Sequence, residues 1–115
     1  MLHSLDDGRD DDLLVIRYPY FETIEPLVTD GAYTYVTTDT RIEHGVTHQW
    51  NHGIGDIVTA LLGAGLTITG LAEHTSIPFE ALPGQMVQVG GGEWRLARDP
   101  DRVPCSFTIQ AVKRA

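Results

Sequence analysis

Gln49-Trp50-Asn51-His52-Gly53-Ile54-Gly55-Asp56-Ile57-Val58-Thr59-Ala60-Leu61-Leu62-Gly63-Ala64-Gly65-Leu66-Thr67-Ile68 is the stretch whose reading decides the fold. It reads as a loop, a helix and the strand that follows. Asn51 to Gly53 offers an N-terminal cap region, and Asp56 falls in the first turn, where a carboxylate complements the helix dipole. Ile54, Ile57, Val58, Leu61 and Leu62 recur at the spacing of one apolar helix face. Gly65 is placed for the left-handed conformation that ends a helix, with Leu66 folding back as its hydrophobic contact.

Outward from this unit, the chain of 115 residues is long enough for one domain, spanning 1–115, with a single modest core. Hydrophobic residues make up 42% and charged residues 21%, an ordinary globular balance rather than that of a disordered chain. The net charge of -8, with eight scattered Lys and Arg, argues against a nucleic-acid partner, because phosphate binding needs clustered cations. No apolar run approaches the roughly 20 residues of a membrane span, and no basic-then-apolar leader opens the sequence. Cys105 is the single cysteine and makes no internal disulfide, so a reducing cytoplasm is the expected location. It alternates with Phe107 and Ile109, which places it in the core rather than at a reactive site.

Asp6-Asp7-Gly8-Arg9-Asp10-Asp11-Asp12 is expected as a solvated turn between two strands; it lacks the alternating ligands and terminal Glu of a calcium loop. Leu13 to Tyr20 is apolar and β-branched and is expected as a strand ending near Pro19. Tyr33 to Thr37 and Val46 to Trp50 are further extended candidates. Leu66 to His74 follows the helix as a strand. Pro78, Pro83 and Gly84 mark an irregular stretch, and Met86–Val89 and Glu93–Leu96 form a hairpin about Gly90-Gly91-Gly92. Cys105 to Val112 alternates cleanly and leaves no room for a crossover helix, so it is expected antiparallel to the Leu66 strand.

Tyr20-Phe21-Glu22, then Trp50-Asn51-His52 leading into a helix that ends in Ala64-Gly65-Leu66, form an ordered succession. Leu71-Ala72-Glu73-His74 and a closing Pro104-Cys105-Ser106-Phe107-Thr108-Ile109-Gln110-Ala111 complete it. This succession resembles the C-terminal part of class I S-adenosylmethionine-dependent methyltransferases, in particular a bacterial small-molecule group. The resemblance covers nearly the whole chain. It implies an α/β fold, the C-terminal part of a Rossmann-like methyltransferase, seen alone as a mainly antiparallel or mixed sheet with one principal helix. The family holds S-adenosylmethionine through a glycine-rich turn after its first strand and an acidic residue ending its second. Neither is in these residues. Val87 to Glu93 imitates such a turn, but no helix pattern follows its glycines. A family His-Pro dipeptide before a segment like Met1–Asp12 implies that Met1 is an internal methionine of a longer protein.

The resemblance places Trp50, Asn51 and His52 where a substrate-side loop enters its helix. His52 is the candidate general base on an acceptor hydroxyl or amine, since imidazole exchanges protons near neutral pH. Tyr20, Phe21 and Glu22 are candidates for a second wall, with Glu22 orienting or deprotonating the acceptor. The plain alternative is that Trp50 packs in the core, Asn51 caps the helix and the aromatic pair only packs. His44, His48 and His52 share a spacing of four, but Gly45, Val46 and Thr47 oppose a helix there. In a strand about 13 Å would separate successive ligands, at about 3.3 Å per residue, so no metal site is expected.

The resulting expectation is an acceptor-side methyltransferase portion, catalytically inert without its cofactor half. A small-molecule acceptor is the expected partner of the full-length enzyme. An open strand edge and an uncovered apolar face lead to an expected homodimer. The alternative from a different class is a standalone β-rich small-ligand-binding or interaction domain.

Overall fold

The computed structural model describes residues 2–31 and 43–114; the strand expected at Tyr33–Thr37 lies outside them. Within the deciding stretch, helix α1 runs Ile54–Gly63. Its N-cap is Gly53, whose extended backbone makes no side-chain cap bond. Asn51 therefore does not cap the helix. The phenol oxygen of Tyr20 instead accepts the Ile54 amide at 3.1 Å, supplying from a distant loop the partner that the first turn lacks. At the other end Gly65 takes φ 77° and its amide bonds the Leu62 carbonyl. A side chain at this left-handed position is strained, so Gly65→Ala is expected to cost about 1 kcal/mol in urea unfolding. An unchanged midpoint would place the helix end elsewhere.

Strand β1 (Leu27–Asp30) pairs antiparallel with β2 (Val46–Gln49), Leu27 opposite Gln49. Strand β3 (Leu66–His74) pairs antiparallel with the last strand, Ser106–Lys113, as its alternation required. Between them come β4 (Ser76–Ile77), β5 (Met86–Gln88) and β6 (Trp94–Leu96), in the spatial order β4-β6-β5. The last strand is β7. The expected hairpin is present, with Gly91 and Gly92 at φ 78° and 79° in the connection, where only glycine turns without strain. The molecule is thus mixed α/β, with three antiparallel sheets and one α-helix among the described residues.

A bulge shapes the β3–β7 ribbon. Ile68 pairs with Ala111 and Gly70 with Gln110, so Thr69 is the extra residue on β3. Opposed residues share a side of the ribbon, and the extra residue lets Ile68 and Leu71 fall on the same one. That side carries Leu71 and Ile109, then Glu73 and Phe107.

Leu13 to Tyr20 departs from expectation. It forms no strand, only one antiparallel bridge of Ile16 to Leu5. Ser4 occupies the place of a continuing ladder: its carbonyl accepts both Arg17 and Tyr18 amides, at 2.9 and 3.1 Å. Pro19 then has no amide to give. The acidic turn is held by its own side chains. Asp6 accepts the Gly8 amide at 3.1 Å and the Arg17 guanidinium at 2.9 Å, and both pull its carboxyl below the usual range, the Arg17 bond most. Arg9 pairs with Asp11.

The core lies away from the helix. Leu2, Leu5, Leu82, Met86, Leu96 and Cys105 are buried together, with Leu14, Ile77 and Trp94 against them. Cys105 is in the core, as its alternation indicated. Gln85, also buried, reaches back to the Arg9 carbonyl at 2.8 Å and ties the acidic turn to this cluster. No residue of α1 is fully buried, and Leu62 on its apolar face is 54% exposed. No helix among the described residues is long and apolar enough to cross a membrane.

Candidate functional site

The loop entering α1 meets the loop after the Ile16 bridge. Asn51 Nδ2 donates to the Pro19 carbonyl at 2.6 Å, and more weakly to that of His3 at 3.5 Å. These bonds, with the Tyr20 phenol on the Ile54 amide, fasten three chain segments at one helix N-terminus. The Tyr20 ring stacks on His3, centroids 5.5 Å apart, and meets the edge of Phe21 at 5.1 Å. Gly53 completes the junction. A Cβ there would stand 3.2 Å from the Tyr20 ring and 3.3 Å from that of Phe21, so glycine permits the close approach.

Beside this junction is a cavity of about 650 Å³. Tyr20, Asn51 and His52 line it from the junction. Glu73, Ile77 and Phe107 line it from strands β3, β4 and β7, and Thr29 and Gln49 from the β1–β2 pair. All three sheets contribute to one wall. Its size suits a small organic molecule.

Of the six residues singled out in the sequence, three are on this wall. Glu22 is not, but it stands against His52, Nδ1 to Oε2 at 3.5 Å. A carboxylate facing Nδ1 favours the tautomer with its proton there and leaves Nε2 as the acceptor. Both side chains are about half exposed or more, so the pair is a solvent-screened orienting contact. Phe21 is outside the cavity and buttresses Tyr20. Trp50 is 44% exposed and is neither a lining residue nor a member of the core cluster. It follows directly on the end of β2 at Gln49.

The sequence reading missed His3, Tyr18, Phe79 and Glu73 as wall residues. Glu73 and Phe107 had a signal. β3 and β7 were expected antiparallel, and their register sets these two opposite each other on the ribbon. His3 and Phe79 had none, since only the fold brings them near residues 20 and 52. Among the described residues, no three His, Cys, Asp or Glu side chains come together as metal ligands.

Burial against the neighbouring loop, above all, lowers the pKa of His3. The sign follows from linkage. The unfolded chain takes up a proton near the ordinary value of 6.5, while the folded chain resists it, so stability falls as pH drops through that value. A melting profile that declines below neutrality and flattens in His3→Gln is the expected result. An identical profile in the variant would assign the decline to other groups.

The phosphate- or adenosyl-cradle reading of Gly90–Gly92 does not fit the structure. These glycines join β5 to β6, and the next element is a strand rather than a helix N-terminus. Comparison of the chain with protein-family models, with curated proteins and with solved structures gives no match.

Proposed function

We propose that this chain is the acceptor-side, C-terminal portion of a Rossmann-like S-adenosylmethionine-dependent methyltransferase acting on a small molecule. The observation that carries the reading is the junction itself. Tyr20-Phe21-Glu22 and Trp50-Asn51-His52 are motifs whose order resembles the family's. Tyr20, Asn51 and His52, from both motifs, converge beside one cavity, with Glu22 oriented on His52. In this reading the cavity holds the acceptor. His52 receives its proton, and Asn51 and Tyr20 fix the loop that carries His52 by bonding Pro19 and Ile54. The methyl donor is not held by these residues, which lack a glycine turn backed by a helix.

Translating the reading frame upstream of Met1 tests this directly. A strand followed by a glycine-rich turn and a helix would support the reading; an immediate in-frame stop codon would overturn it. Calorimetry with S-adenosylmethionine is expected to give no micromolar binding to this chain alone, and a micromolar isotherm would contradict the assignment of the donor to other residues.

A second reading is favoured by the three antiparallel sheets that share one cavity wall: a standalone β-rich domain binding a small ligand. It predicts a monomer. The methyltransferase reading carries a homodimer proposal, because among the described strands β3 and β7 pair only with each other. Leu71 and Val112 on them are 50% and 54% exposed, and edge pairing with a second copy would cover unpaired backbone groups. Light scattering is expected to give twice the chain mass, and a monomer at high concentration would remove the dimer.

A further inference from the structure

We propose that the cavity takes a small organic cation, an ammonium carried on an aromatic or apolar body. This rests on the acceptor-pocket reading and adds the charge class of the acceptor. Four rings stand on the wall: Tyr18, Tyr20, Phe79 and Phe107. The faces of such rings carry negative potential and attract cations within about 6 Å. Tyr18 already does this within the chain, its ring centre lying 5.4 Å from the guanidinium carbon of Arg17.

The fixed charges on the wall have one sign. Asp7 and Glu73 are its carboxylates, and among the described residues no Lys or Arg lines it. Arg17, beside Tyr18, is bonded to Asp6 at 2.9 Å, which offsets its charge. Asp7 accepts the Tyr18 phenol at 3.2 Å. Among the described residues, no ion pair or side-chain hydrogen bond engages the carboxylate of Glu73. Glu73 lies opposite Phe107 in the β3–β7 register, so carboxylate and ring share one side of the ribbon. An ammonium there has an aromatic ring and a counter-charge on the same side of the ribbon. An anion would meet two carboxylates and, among the described lining residues, no Lys or Arg. Of the wall imidazoles, burial holds His3 below its ordinary pKa, and His52 faces the Glu22 carboxylate.

Three probes of similar size and the same aromatic body separate the possibilities: phenethylammonium, 2-phenylethanol and 3-phenylpropionate. They are titrated into this chain by calorimetry at neutral pH and low salt. Phenethylammonium is expected to bind about tenfold more tightly than 2-phenylethanol, with 3-phenylpropionate the weakest. Glu73→Gln, an exposed substitution, is expected to weaken phenethylammonium about threefold and to leave 2-phenylethanol unchanged, which also reports that the variant is folded. Equal binding of ammonium and alcohol, preference for the carboxylate, or an unaltered Glu73→Gln affinity would overturn the cation site. If none of the three binds, the acceptor-pocket reading falls with it. Binding without charge preference removes the cation class alone.

Discussion

Replacing Leu96 by alanine is expected to cost about 3 kcal/mol of folding stability and to lower the melting temperature by about 15 °C. Leu96 on β6 is fully buried, in one cluster with Leu82, Met86 and Cys105, so truncation leaves a cavity that neighbours on several elements would have to close. In a small domain, about 3 kcal/mol is a large share of the total. Leu62→Ala is the matched control. It removes the same atoms from the helix face, where the side chain is 54% exposed, and is expected to cost less than about 0.5 kcal/mol. Urea unfolding of both variants decides where the core is. Equal losses would mean that the apolar face of α1 is covered in solution, as a homodimer or a larger polypeptide would arrange.

That contrast also separates what was legible in the sequence from what was not. The helix Ile54–Gly63, its glycine stop, the Leu66–His74 strand, the Gly90–Gly92 hairpin and the antiparallel final strand all rest on local patterns, which the chain satisfies within a few residues. The position of the core does not. The periodicity of Ile54, Ile57, Val58, Leu61 and Leu62 marks a face able to be buried, without saying that it is. The chain instead buries Leu82 and Leu96, from a proline-marked loop and a three-residue strand with little pattern of their own. Leu13–Tyr20 fails for the opposite reason: its β-branched composition is suitable, but a ladder needs a partner, and the Ser4 carbonyl ends the pairing after one bridge. At the site, Asn51 is a residue type that caps helices, yet the Pro19 carbonyl competes for it and Tyr20, thirty-four residues earlier, does the capping. Side chains that act across such separations leave no local signature.

The largest functional effect is expected at His52. In a polypeptide that transfers methyl groups through this cavity, His52→Ala is expected to lower kcat about a hundredfold or more with little change in KM. An ammonium acceptor has no free lone pair, so its nitrogen cannot take a methyl group until a proton leaves. His52 is on the wall, with Nδ1 turned to Glu22 and Nε2 left to receive that proton. Glu22→Gln tests the orienting role separately. The contact is 3.5 Å long and exposed, so the expected loss is about fivefold. A His52→Ala variant with the parent's rate would show that the acceptor reaches the cavity already deprotonated, leaving His52 as a wall residue. A variant that raised KM alone would make it a binding group. Only loss of kcat with KM held fits a base, because removing a side chain that merely shapes the cavity weakens acceptor binding and raises KM.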